Sequence, residues 1–220
     1  MNLFVRSLKK KRFFYPLFLA PIAYLAVPIL NSDTELLADP AKYLLEYVGL
    51  AATALFVVTL CVTPLRKIFP KSNLVKVLAF HRRAIGLSVF VYALLHFLIY
   101  FAYTGTWVEF VKDWDKLFIL SGILAFFLLL ALAITSNNRS VRALGGKRWK
   151  RLHRLAYLIM FLLIYHQAAQ EKTGYRETVQ YFAPLIILQA CRIAIAVKNR
   201  TDRGAAQSQA QRDSQQSAPK

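Results

Sequence analysis

The chain is poor in what soluble enzymes use for chemistry. Its 220 residues hold two cysteines and four histidines, and 11 acidic residues stand against 29 basic ones. Cys61 and Cys191 lie far apart in separate apolar segments. That excludes a disulfide framework and a Cys-x-x-Cys redox pair, and both read as small apolar fillers. Neither glycine-rich phosphate-binding fingerprint is present, so no nucleotide site is encoded in those forms. No internal repeat argues for a transporter built from two halves. No grouping of acid, base and nucleophile stands out either, so a catalytic subunit is not the expectation.

What the chain has in abundance is apolar length. It is 57% hydrophobic, with a mean hydropathy of +0.40. Apolar runs cover residues 13–30, 43–65, 84–103, 117–135, 155–168 and 179–197. A helix needs about 20 such residues to cross about 30 Å of hydrocarbon. The fifth run is the shortest, unless its basic leader from Trp149 is counted in. The expectation is an all-α, polytopic membrane bundle of six transmembrane helices, with little chain left for a separate soluble domain. Lys9, Lys10, Lys11 and Arg12 precede the first run as they would in a signal peptide. That run is long, is broken by Pro16, Pro21 and Pro28, and lacks a small-x-small cleavage site, so it reads as a retained helix.

The formal net charge of +18 would suit nucleic acid if it were spread over one face. It is not. Basic residues cluster at 6–12, 66–83, 139–154 and from Lys198 onward. The alternate loops carry Asp33, Glu35 and Asp39, then Glu109, Asp113 and Asp115, then Glu171 and Glu177. This is the positive-inside pattern, and it places both termini of a multi-pass membrane protein in the cytoplasm. The basic charge then orients the chain and attracts anionic lipid rather than nucleic acid. Four segments follow: 1–42 with the basic start, first helix and outer loop; 43–170 as the core; 171–198 as the last helix; and 199–220, a Gln/Ser/Ala-rich tail expected to be disordered.

With orientation set, each histidine acquires a depth. His96 comes out about 18 Å above the inner end of its span, and His166 about 20 Å above His153, at 1.5 Å of rise per residue. His96 and His166 are therefore level in the outer half, on two helices that run the same way. His81 and His153 are level near the inner surface. A lone histidine within a membrane is explained as well by a hydrogen bond to the next helix. Two at matched depth are what bis-histidine ligation of a haem iron requires. His81 and His153 are flanked by arginines, where a solvated imidazole needs no special role. Arg82, Arg83, Arg148, Arg151 and Arg154 read first as topology signals; an anionic donor or haem propionates at the inner face is the alternative.

Several segments carry a family likeness: Thr63–Pro64, RRAIGLSVFVYALLHFLIY (82–100), LAITS (132–136) and GKRWKRLHRLAYL (146–158), with His166 following. In order and spacing they resemble the MsrQ (YedZ) family within the ferric-reductase-like transmembrane superfamily, over most of residues 43–170. The sequence departs from the family pattern in VKDWDKLFILSG (111–122), in the extra glycine of LGGKRW (144–149) and at Gln167. The resemblance implies a b-type cytochrome of the bacterial inner membrane, with haem ligands drawn from His96, His153 and His166. One haem b is implied, or two if His81 pairs with His153. It further implies FMN association and a heterodimer with MsrP, a periplasmic molybdenum reductase that repairs methionine sulfoxide in envelope proteins. Electrons would come from the quinone pool or a cytoplasmic flavin reductase. Two other readings stay open: a minimal ferric reductase subunit, and a non-redox transporter or assembly factor whose histidines serve as helix glue.

Overall fold

The computed structural model describes residues 14–170 and 174–216. Among these, every regular element is helical. Three short helices, α1 (Phe14–Tyr24), α2 (Ala26–Leu30) and α3 (Thr34–Ala38), lead into α4 (Pro40–Ile68) and α5 (Asn73–Thr104). Then come α6 (Trp107–Lys112), a 3-10 turn (Asp113–Asp115), α7 (Leu117–Ile134), α8 (Asn138–Leu152), α9 (Leu155–Ala168) and α10 (Gly174–Gln216).

Local chemistry sets the boundaries. Asp39 caps α4, its carboxylate accepting from the Lys42 amide at 3.0 Å, and Pro40 fills the first position, where a missing N–H costs nothing. Arg66 and Lys67 in the last turn of α4 face the unpaired carbonyls at the helix's negative end. Gly145 interrupts α8 at φ +73°, a conformation that side chains with a Cβ rarely adopt.

The long helices close into a ring. α4 packs along α5 and, on its other side, against α10; α10 meets α9, α9 meets α7, and α7 returns to α5. Ile85, Val89, Tyr92, Ile159, Phe182 and Leu185 are almost wholly buried within it. Leu98, Phe127, Phe161 and Ile187 point outward and are more than half exposed. An apolar outer surface on helices with self-satisfied backbones is what lipid demands.

Four helices are long and apolar enough to cross a membrane: Pro40–Ile68, Asn73–Thr104, Leu117–Ile134 and the segment Thr178–Gln209. The other two of the six expected spans correspond to shorter apolar segments, Phe18–Leu30 and Leu155–Ala168. The basic start at 6–12 lies outside the described residues. The stretch from 199, expected to be disordered, instead continues α10 as helix to Gln216. Its Ala, Gln and Arg residues are good helix formers.

α1 is held to the ring by tyrosines. Tyr92 Oη on α5 donates to the Phe18 carbonyl at 2.7 Å, and Tyr47 Oη on α4 donates to that of Pro21. Both hydroxyls are in apolar surroundings, where a polar group without a partner is costly. Tyr92→Phe removes one of the two anchors and is expected to destabilise the bundle by about 0.6–1.7 kcal/mol, the range of interhelical bonds in membranes. Thermal unfolding in detergent, with Tyr92→Phe and Tyr47→Phe taken singly and together, measures it.

Candidate functional site: two cradled histidines

His96 lies in the last third of α5 and His166 near the end of α9. Their ring centres are 6.3 Å apart and their planes cross at 89°. Each is held in the same way by a different neighbouring helix. His96 Nδ1 is 2.8 Å from the Leu45 carbonyl of α4, and His166 Nδ1 is 2.7 Å from the Phe118 carbonyl of α7. A carbonyl can only accept, so Nδ1 carries the proton in both rings and Nε2 keeps its lone pair.

Four residues beyond each carbonyl stands a glycine. A Cβ on Gly49 would lie 2.8 Å from His96 Nδ1, and one on Gly122 would lie 2.7 Å from His166 Nδ1. The spacing follows from the helix: the group next above a carbonyl along the helix axis is the residue four along, and a ring bonded to that carbonyl lies over it. Only glycine leaves room for it.

The two rings border a cavity of about 830 Å³, walled by Leu45, Gly49, Phe97, Phe126, Leu129 and Leu163 among others. Its volume falls within the few hundred to about 1,000 Å³ usual for cofactor sites. Phe97 and Phe126 stack at 4.7 Å with nearly parallel planes. The rim is polar, with Lys42, Glu46, Glu109, Asp113 and Lys116. At that rim Asp113 accepts from Tyr100 Oη at 2.5 Å and from Lys116 Nζ at 2.7 Å, clamping the loop after α6 to α5. Gln170 Nε2 donates to His166 Nε2 at 3.3 Å.

The other two histidines are elsewhere. His153 sits in the turn between α8 and α9, not on the helix that carries His166. Trp149 stacks on it at 4.0 Å between ring centres, and Thr135 Oγ1 lies 3.2 Å from its Nε2. That hydroxyl already donates to the Ala131 carbonyl at 2.8 Å, so it accepts from Nε2–H. Burial, then the charges of Arg82 and Arg83, hold the His153 pKa below its ordinary value. His81 is buried on α5 against the edge of Phe80. Neither borders the cavity. Arg82, Arg83, Arg148, Arg151 and Arg154 lie toward the opposite end of the bundle from that rim. Arg83 bonds to Asn138 at 2.7 Å, tying α5 to the start of α8.

The sequence profile of the ferric reductase like transmembrane component family matches residues 48–164. The chain belongs to that family. It is a multi-pass membrane protein. It is 36% identical over 182 residues to the protein-methionine-sulfoxide reductase heme-binding subunit MsrQ of Caulobacter vibrioides, covering 79% of this chain and 81% of that one. The MsrQ of Ralstonia nicotianae is 34% identical over 180 residues, covering 80% and 81%. The magnetosome protein MamZ of Magnetospirillum gryphiswaldense is 38% identical over 164 residues, which is 71% of this chain but only 24% of MamZ.

The residues of this ferric reductase-like chain fit a haem. Metal–imidazole bonds of about 2 Å on either side of one iron set the ring centres roughly 6 Å apart, and the observed separation is 6.3 Å. Both δ-nitrogens are already bonded to carbonyls, the arrangement that fixes the tautomer of a ligating histidine. Among the described residues no group of three or more His, Cys, Asp or Glu is arranged to hold a bare ion. Two imidazoles at this separation instead suit an iron held within a macrocycle.

Sequence reasoning paired His96 with His166 but missed Gly49, Gly122, Gln170 and the Tyr100–Asp113–Lys116 clamp. Leu45-x-x-x-Gly49 and Phe118-x-x-x-Gly122 were the available signal: a glycine within an apolar span, level with each histidine. The clamp yields a pH test. Hydrogen bonds from Lys116 and then Tyr100 hold the Asp113 carboxyl below its ordinary pKa. Its stabilisation is fully present above the unfolded value near 4 and is lost as pH falls through the lowered value. Melting temperatures from about pH 5 to pH 3 should therefore fall further in the wild type than in Asp113→Asn, which has no charge to lose.

Proposed function

We propose that the chain is a b-type cytochrome subunit of the bacterial inner membrane. In this reading it carries electrons outward to a periplasmic molybdenum-dependent methionine sulfoxide reductase. The observation that carries it is the His96–His166 pair, two neutral imidazoles cradled alike and facing one cavity at the separation an iron needs. Similarity to heme-binding MsrQ subunits over about four-fifths of both chains supports it.

A bound haem b supplies a one-electron couple at that site. The chain's own residues do the rest. His96 and His166 would hold it through their Nε2 lone pairs, and the Leu45 and Phe118 carbonyls keep both δ protons in place. Phe97, Phe126 and Leu129 exclude water. Gln170, now bonded to His166 Nε2, yields that lone pair when the site is filled. The rim that carries Glu46, Glu109 and Asp113 faces the periplasm and offers the exit. Reduction of one sulfoxide at the partner consumes two electrons and two protons and releases water, so this subunit turns over twice per repair.

Electrons enter at the basic inner end from quinol or a cytoplasmic flavin reductase. Arg82, Arg83, Arg148, Arg151 and Arg154 give that face the charge to receive an anionic donor such as FMN. His153 and His81 lie toward the same end. A second haem there would use His153 as a ligand, with His81 as the other; each would first have to leave its present neighbours. The family match also favours a second reading, a subunit that reduces chelated ferric iron outside the cell. An adjacent gene for a periplasmic molybdenum reductase would decide for the first.

The test is a reduced-minus-oxidised visible spectrum of the purified protein, with haem counted per chain. A low-spin b-type spectrum is expected, lost in both His96→Ala and His166→Ala. One haem, unaffected by His81→Ala, is the expected stoichiometry; two would assign His153 to an inner site. A colourless protein from haem-replete cells would sink the proposal and return the histidines to transport or packing.

A further inference from the structure

We infer that Leu45–Gly49 and Phe118–Gly122 are positioning elements that lock the His96 and His166 ring planes at right angles, making the site a highly anisotropic low-spin haem. The inference rests on the reading of these two histidines as axial ligands.

An imidazole on a helix ordinarily turns about its Cβ–Cγ bond over a broad range. Here two constraints act on each ring. The carbonyl bonds, 2.8 Å from Leu45 and 2.7 Å from Phe118, fix where Nδ1 points. The glycines fix the tilt, because the backbone of α4 or α7 lies directly against the ring. A Cβ at Gly49 would also stand 2.9 Å from His96 Cε1, and one at Gly122 would stand 2.7 Å from His166 Cε1. Neither Cβ could give way, being attached to the main chain of a packed helix. Gly86, on α5, is different: a Cβ there would meet only Thr59 Cγ2, at an ordinary 3.8 Å. The two cradles belong to different helices and come from opposite sides, and the planes they set cross at 89°.

That angle has an electronic consequence. Each imidazole donates π density into the iron d orbital that lies perpendicular to its own plane. Parallel rings raise one orbital of the d(xz), d(yz) pair and split it from the other. Crossed rings raise both about equally, so the pair stays close to degenerate and its orbital angular momentum is poorly quenched. Ferric iron then shows one dominant low-field EPR feature, in place of the three resolved g values given by near-parallel rings.

The test is low-temperature EPR of the oxidised wild-type holoprotein, beside Gly49→Ala, Gly122→Ala and the control Gly86→Ala. The wild type and Gly86→Ala should share the single low-field feature. Gly49→Ala and Gly122→Ala should replace it with a three-line low-spin or a high-spin signal, as the added methyl turns or displaces its ring. A three-line spectrum in the wild type would overturn the inference while leaving bis-histidine ligation intact. So would unaltered spectra in both cradle variants. If those variants lose haem, the wild-type spectrum alone decides. A wild-type protein that binds no haem fails at the earlier step, the proposed function, and takes this inference with it.

Discussion

Two imidazoles buried inside an apolar bundle can each be tolerated only if the N–H finds an acceptor. In a membrane span the nearest acceptors are backbone carbonyls already used by their own helix, and each has a second lone pair to offer. Reaching one requires the imidazole to press against the neighbouring helix at the residue four positions along. The Leu45 and Phe118 carbonyls, with Gly49 and Gly122, meet that requirement identically on two helices. Much of the rest follows from this close approach. α4 must run beside α5, and α7 beside α9, with no side chain between backbone and ring.

The closed order of helices serves the same end. With α5 against α4 and α9 against α7, the two histidines face inward from different neighbours, and α7 packing on α5 brings the pairs together. α10 seals the side between α4 and α9 through Phe182 and Leu185. The space between is a cavity at one end of the bundle, because the glycines and the histidine rings fill less volume than the large side chains of the core below. Ile85, Val89 and Ile159 occupy that lower core with almost no exposure. At the open end, the Asp113 clamp places the short segment after α6 over the rim.

The separation of roles along the bundle is electrostatic as well as steric. The end with the cavity carries Glu46, Glu109 and Asp113, the last two paired with Lys112 and Lys116; the other is rich in arginine and lysine. Such a gradient sets orientation in the membrane. His153, packed between Trp149 and Thr135 near the basic end, does not border the cavity. Its place in a turn, rather than in a helix continuous with His166, comes from the break between α8 and α9, which no proline or glycine at that point announces.

Composition and charge order alone determined that the chain is an apolar helical bundle with one basic and one acidic set of loops, and that His96 and His166 share a depth. Those properties are additive along a helix: residue count sets height, and loop charge sets direction. The rotation of each helix about its axis is not additive, because it depends on which neighbours pack against which face. Only the tertiary structure therefore decided that the two rings meet at 6.3 Å and 89° and that their δ-nitrogens face Leu45 and Phe118 rather than lipid. It likewise decided that His153 is engaged elsewhere. Helical periodicity also failed to reveal that α10 runs on to Gln216, since a polar stretch reads as disordered when judged by burial and as helical when judged by backbone propensity.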